Sequence, residues 1–253
     1  MPADLTDDAA LGGRLRLLQP SRGHRFGHDA ILLAAATPAR AGDRIADLGA
    51  GVGTAGLALA ARVDGVRVTL VEVDGRLAAL ATENAARNGM TERVDAVALD
   101  VAAPADAFAA AGLDAESCDI VITNPPFHDD QKLQASPDAC RREAHTIEAR
   151  KLADWVGAAR RLLRPRGILM LIFRADGLPA LFDLVDGFGG VTVMPVHPKP
   201  GVAAIRVLLA AIKGSRAPFA LRDGLVLAAA DGTPTVQTEA ILRHAAALDL
   251  IQR

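Results

Sequence analysis

Ile45-Ala46-Asp47-Leu48-Gly49-Ala50-Gly51-Val52-Gly53-Thr54 reads as a short apolar strand that runs into a glycine-rich turn and then into the helical pattern Ala55 to Ala61. Strand, glycine turn and helix in that order are the opening of a βαβ unit, and the missing side chains let the backbone approach a ligand closely. Gly51-Val52-Gly53-Thr54-Ala55-Gly56 also satisfies G-x-G-x-x-G. A nicotinamide or flavin enzyme is therefore one reading of this stretch taken alone.

The acidic residues favour S-adenosylmethionine instead. Asp47 lies two residues before Gly49, where a carboxylate suits a ligand ammonium and would repel a pyrophosphate. Val68 to Asp74 reads as a second strand that brings Glu72 to the expected place of a ribose-binding acid, which both cofactors share. Val94 to Leu99 reads as a third strand ending at Asp100, an acceptor for an adenine amino group. Any one of these acids alone can be an ordinary polar strand end. In a doubly wound parallel sheet, however, the carboxyl ends of the strands line one crevice, so Asp47, Glu72, Asp100 and the turn at Gly49, Gly51 and Gly53 converge on one ligand.

A fourth apolar run, Cys118-Asp119-Ile120-Val121-Ile122-Thr123, leads directly into Asn124-Pro125-Pro126-Phe127. In isolation this tetrapeptide is a strand-ending turn. Placed after the glycine motif it describes a site for methylating an amino group, which no hydride transfer requires. The lone pair of a conjugated amine is delocalised and must be localised before it attacks. The Asn124 side-chain oxygen and the Pro125 carbonyl can each accept one N–H, and prolines donate no competing hydrogen. Pro125 and Pro126 stiffen the turn, so the acceptors are preorganised. Phe127 offers a flat face for a base to stack on.

Further along, Ile147 to Leu163 reads as a helix around a core Trp155, Gly167 to Phe173 as a strand, Gly177 to Val185 as a helix, and Val191 to Val196 with Ile205 to Ile212 as a strand pair. The expected fold is α/β and Rossmann-like, a doubly wound, mostly parallel seven-stranded sheet with a terminal antiparallel strand. One domain is expected, with residues 1–40 as a leading segment over the cofactor site, 41–213 as the catalytic core and 214–253 as a C-terminal hairpin and helix. That hairpin runs from Leu225-Val226-Leu227 through Asp231-Gly232 to Thr235-Val236, and Thr238 is expected to cap a helix from Glu239 to Leu248. Phe127 to Arg142 lacks periodicity and is expected to form a mobile loop over the substrate mouth.

The chain of 253 residues carries a formal net charge of −2 and two cysteines, Cys118 and Cys140, too far apart for a metal-binding pair. No metal is expected. Without a secretory leader or an apolar run of the roughly 18 residues a membrane helix needs, a cytoplasmic protein with no membrane partner is expected. The charge opposes a nucleic-acid substrate, but its distribution does not. Arg14, Arg16, Arg22, His24 and Arg25, together with Arg141-Arg142, flank the presumed pocket and are phosphate candidates. Arg160-Arg161 to Arg164 and Arg166 reads as a solvated helix end and the turn after it.

The chain resembles the bacterial tRNA1(Val) (adenine-N6)-methyltransferase family, within the class I methyltransferases that carry Asn-Pro-Pro-aromatic. The similarity begins at Leu11-Gly12-Gly13-Arg14-Leu15 and at Gly23-His24-Arg25-Phe26-Gly27-His28-Asp29-Ala30-Ile31-Leu32-Leu33. It continues through the glycine turn, Glu72, Asp100 and Asn124 to Phe127, and ends in His197-Pro198-Lys199 through Lys213-Gly214. The resemblance implies methyl transfer from S-adenosylmethionine to N6 of an adenine beside the anticodon, with tRNA as partner. His28, where relatives often carry a small residue, and His128, as after the aromatic in guanine-N2 methyltransferases of ribosomal RNA, are departures. His128 reads as a loop residue rather than a base. Guanine N2 and a protein glutamine amide remain alternative acceptors, and a nonenzymatic RNA-binding module that retains the cofactor is the alternative outside enzymes. Oligomeric state is not legible.

Overall fold

The computed structural model describes residues 4–22, 27–126 and 152–251. An antiparallel hairpin comes first, β1 (Leu5–Ala10) and β2 (Leu15–Pro20), with Leu5 opposite Pro20 and Ala10 opposite Leu15. Helix α1 (His28–Ala36) follows, and then β3 (Arg44–Leu48), α2 (Thr54–Arg62), β4 (Arg67–Glu72), α3 (Gly75–Arg87), β5 (Val94–Ala98), α4 (Ala105–Ala110) and β6 (Cys118–Thr123) alternate. Residues 152–162 are helical (α5). Beyond them come β7 (Leu163–Arg174), α6 (Leu178–Leu184), β8 (Phe188–His197), β9 (Arg206–Lys213), the short β10 (Ala220–Leu221) and β11 (Leu225–Val226), and α7 (Val236–His244).

The main sheet has the order β10-β8-β9-β7-β6-β3-β4-β5, with β11 also on β8. Strands β3 to β7 pair in parallel, and β9 runs antiparallel between β7 and β8. This is the doubly wound Rossmann-like sheet expected, its antiparallel strand last in chain order among the seven long ones. Among the described residues this sheet has nine strands rather than seven because β10 and β11 add to β8, where they occupy backbone groups an open sheet edge would leave unpaired. The winding reverses between β3 and β6, so the crevice of the fold opens beyond Leu48 and Thr123.

Both faces of the parallel strands are apolar, which explains their continuous hydrophobic runs. Ile45, Ile120 and Ile168 pack into the core under α1 and α2, while Ala46, Leu48, Val121 and Leu169 pack into a second core that includes Val156 and Leu162 of α5. Each fully buried aliphatic side chain contributes about 1.5–3 kcal/mol.

The C-terminal expectations need two corrections. Leu225–Val226 pairs in parallel with Val196 and His197 of β8, and the expected hairpin is confined to its inner part, where the Thr235 N–H donates to the Leu227 carbonyl at 3.0 Å and the Ala229 N–H to the Thr233 carbonyl at 2.8 Å around the bridge of Ala228 with Pro234. The last helix starts earlier, at Val236, capped by Thr235, whose hydroxyl accepts the Thr238 N–H at 3.2 Å. Thr238 is buried inside the first turn and bonds the cap hydroxyl at 2.9 Å instead.

Candidate active site

The glycine turn is built almost entirely by the backbone. The N–H groups of Gly49 and Ala50 both donate to the Val71 carbonyl, at 2.8 and 3.0 Å, and the Gly53 N–H donates to Ala50 at 2.8 Å. Gly49, Gly51 and Gly53 have φ of 68°, 58° and 89°, in the left-handed region. At Gly49 space matters as well, because a Cβ there would collide with Cη2 and Cζ3 of Trp155. Trp155 is half-buried and braces the first residue of the turn from α5.

Glu72 ties two turns together. Its Oε2 accepts the Gly51 N–H at 2.8 Å and its Oε1 the Asp74 N–H at 3.0 Å. The side chain between them, Val73, is 65% exposed beside this carboxylate. The Leu99 N–H donates to the Glu72 carbonyl at 2.9 Å, which brings Asp100 next to the end of β4. Asp100 is exposed, and its Oδ1 holds the Ala102 N–H at 2.9 Å.

Asp47 occupies a different place from the one its spacing suggests. It is 2% exposed, beneath the turn, and its Oδ2 accepts the Gly56 N–H of α2 at 2.9 Å. Burial pushes its carboxyl up to about 7; the Gly56 hydrogen bond pulls the other way and the nearby Glu72 charge adds to the rise. Alternation along β3 sends Asp47 to the same face as Ile45, toward α2, rather than into the crevice.

Asn124 leaves β6 beside the glycine turn. Leu48 and Thr123 are paired in register, and the Thr123 hydroxyl donates to the Leu48 carbonyl at 3.0 Å. Two strands that exit side by side thus deliver Gly49 and Asn124 to one place. Pro125 is buried and Pro126 exposed. Asn124 Oδ1 is buried without a hydrogen-bond partner among the described residues. An unsatisfied buried acceptor of this kind costs about 1–3 kcal/mol, and a donor supplied by a ligand would recover it. Phe127, His128, Arg141 and Arg142 lie outside the described residues, as do His24, Arg25 and the mouth loop to residue 142.

Most of the arginines are engaged in structure. Arg160 bonds backbone carbonyls and lies over the Phe188 ring, Arg161 sits 4.6 Å from the Phe108 ring centroid, and Arg164 pairs with Asp119 at 2.6 Å. Arg14 donates to the His244 carbonyl at 3.3 Å, and Arg16 pairs with Asp7 at 3.1 Å. Arg22 is exposed. It lines, with Leu5, Pro20, Asp74 and Leu77, a groove of about 620 Å³ between the open end of the hairpin and the turn after Glu72. None of Asp47, Gly49 and Asn124 lines that groove.

Sequence reasoning missed two participants, Thr123 and Trp155. Thr123 read as the last residue of a strand and Trp155 as core. No local signal pairs residue 155 with residue 49; the contact exists because α5 packs over the end of β3.

A family described as methyltransferase small domain matches residues 25–199. A tRNA1(Val) (adenine(37)-N6)-methyltransferase of Aeromonas hydrophila is 30% identical over 214 residues, 83% of this chain and 84% of that one. A release factor glutamine methyltransferase of Chlorobaculum tepidum is 28% identical over 162 residues, 61% of this chain and 54% of that one. Among solved structures, a predicted O-methyltransferase from Agrobacterium tumefaciens has a TM-score of 0.74 at 31% identity, covering 87% of this chain and 98% of that one.

Proposed function

This chain belongs to the methyltransferase small domain family, and on that premise we propose that it methylates the exocyclic N6 amino group of an adenine in tRNA. S-adenosylmethionine is the methyl donor and supplies an electrophilic methyl on sulfonium. The observation that carries the reading is the buried Asn124 Oδ1 beside the glycine turn, unpartnered among the described residues. The residues fit the donor: Glu72 is set between two turns to take ribose hydroxyls, Val73 offers apolar surface beside it, and Asp100 stands at the next strand end.

Asn124 Oδ1 and the Pro125 carbonyl accept the two N–H bonds of the amine and localise its lone pair. So oriented, the nitrogen would take the methyl that S-adenosylmethionine supplies when bound, leaving S-adenosylhomocysteine, and would then shed one N–H proton to water. No strong base is needed, because that product is acidic. Phe127 serves as the stacking face for a flipped-out base. Two acceptors suit an amine with two N–H groups better than a hydroxyl with one, which supports N- over O-methylation. The named adenine-N6 relative supports tRNA, and the exposed Arg22 and the pair Arg141-Arg142 are the phosphate contacts in this reading. Among the described residues no helix is long and apolar enough to cross a membrane, and we place the reaction in the cytoplasm, on a chain that works as one domain.

The test is transfer of labelled methyl to unmodified total tRNA, followed by nuclease digestion and chromatography of nucleosides. Labelled N6-methyladenosine is expected. Labelled 2-methylguanosine would move the acceptor to guanine. Label confined to a glutamine-containing release-factor substrate would favour the glutamine reading, which the Chlorobaculum relative supports.

A second measurement uses the chain's one tryptophan. Because Trp155 braces Gly49, titration with S-adenosylhomocysteine is expected to change its emission, saturating at the Kd found by calorimetry. Binding heat with unchanged emission would show that the turn and its brace do not respond to the ligand.

A further inference from the structure

Asn84 lies in the last turns of helix α3 and Asn88 is its C-cap residue. Four helical residues rise about 6 Å and two strand residues about 6.8 Å, so amides at i and i+4 on a helix can address alternate residues of a strand. They do so here. The Leu18 N–H donates to Asn84 Oδ1 at 2.7 Å and Asn84 Nδ2 donates to the Leu18 carbonyl at 3.0 Å. The Arg16 N–H donates to Asn88 Oδ1 at 3.0 Å and Asn88 Nδ2 to the Arg16 carbonyl at 2.9 Å. Two side chains thus act as a third strand on the outer edge of β2, satisfying backbone groups that β1 does not reach.

The two asparagines differ in one contact. The remaining Nδ2 hydrogen of Asn88 returns to the Asn84 carbonyl at 2.7 Å, inside its own helix. That of Asn84 crosses to the Val52 carbonyl at 3.0 Å, between Gly51 and Gly53 of the turn. Asn84 is fully buried and Val52 is 7% exposed. Val52 is flanked by glycines that impose little φ preference of their own. Its surroundings are pinned from two sides, by Glu72 Oε2 on the Gly51 N–H and by Asn84 on its carbonyl.

We propose that Asn84 is a positioning residue that couples the seating of the β1–β2 hairpin to the cofactor-binding shape of the glycine turn. The proposal rests on the reading that this turn receives the methyl donor. One amide group serves both structures, so whatever stabilises the turn stabilises the hairpin, and the coupling is reciprocal. Asn88 anchors the hairpin without touching the turn and is the internal control.

The test compares N84A and N88A for S-adenosylhomocysteine affinity by calorimetry, and follows amide hydrogen exchange at Leu18 and Arg16 in the wild type with and without that ligand. N84A is expected to weaken binding at least about tenfold and N88A less than about threefold, since only the first leaves a buried carbonyl of the turn unpaired. In the wild type, the ligand is expected to slow exchange at Leu18 more than at Arg16, a readout that needs no variant to fold. Equal losses in the two variants, N84A within threefold of the wild type, or equal exchange at the two amides would overturn the coupling alone. A wild type that does not bind the ligand would overturn the methyl-donor reading, and the coupling with it.

Discussion

Replacing Asn124 by alanine is expected to lower kcat by roughly a hundred- to a thousandfold while changing the Kd for S-adenosylmethionine by less than about threefold. The asymmetry follows from where the side chain sits. Asn124 Oδ1 is buried without a partner among the described residues, so none of their hydrogen bonds is lost at this oxygen when it is removed. The glycine turn is held by Val71, Glu72 and Asn84, none of which bonds through Asn124. What disappears is an acceptor aimed at charge that develops on the amine as the C–N bond forms, and preorganised acceptors of this kind account for about 3–4 kcal/mol. Single-turnover kinetics with saturating donor would separate the effects. Loss of donor binding in parallel with turnover would instead make Asn124 a structural support of the turn.

Asp47 is expected to make the protein less stable as pH rises from about 4 to about 7. Its folded carboxyl is pushed up to about 7 from an ordinary value of 3.8, mainly by burial. Between those values the folded state holds a proton that the unfolded state has released, so stability falls with rising pH across the window and levels off above it. The full span is worth on the order of 4 kcal/mol. Asp47→Asn, neutral at every pH, is expected to remove this slope in urea denaturation series at pH 5, 6, 7 and 8. The same charge predicts the ligand's behaviour. In the proposed reading, where the donor's ammonium lies above the turn, binding favours Asp47 ionised, so affinity is expected to rise with pH through about 7 and to release a proton on binding. Calorimetry in buffers of different ionisation enthalpy reads that proton directly. An Asp47→Asn variant that keeps the wild-type pH slope of stability would remove Asp47 as its source.

The sheet was legible because its signals are local. Ile45 to Leu48, Val68 to Val71 and Ile120 to Ile122 are apolar on both faces apart from Asp47 and Thr69, the mark of parallel strands covered by helices, and Gly49 and Asn124-Pro125 close the first and the third. The turn at Gly49 to Gly53 and the pair Pro125-Pro126 announce their backbone conformations by residue type alone. At the C-terminus the signals competed. Thr235 and Thr238 are both acceptable caps; the helix takes Thr235, whose hydroxyl lies 2.9 Å from the Val226 carbonyl against 3.4 Å for that of Thr238, and both tie the helix to β11. Leu225–Val226 could pair with either a hairpin partner or an open sheet edge, and the edge of β8 was available.

The candidate site divides along the same line. Residue type and spacing determined that Glu72, Asp100, Asn124 and the three glycines gather at the carboxyl ends of adjacent parallel strands, because strand length and winding fix where each strand ends. Tertiary structure alone decided that Asp47 lies under the turn rather than in the crevice, that Trp155 presses on Gly49, and that Asn84 reaches across 66 residues to Leu18 and 32 to Val52. Backbone conformation is set by near neighbours and can be read from them. The partner of a buried amide, carboxylate or indole is set by register and helix packing, and many distant partners are compatible with the same local sequence until the chain has folded.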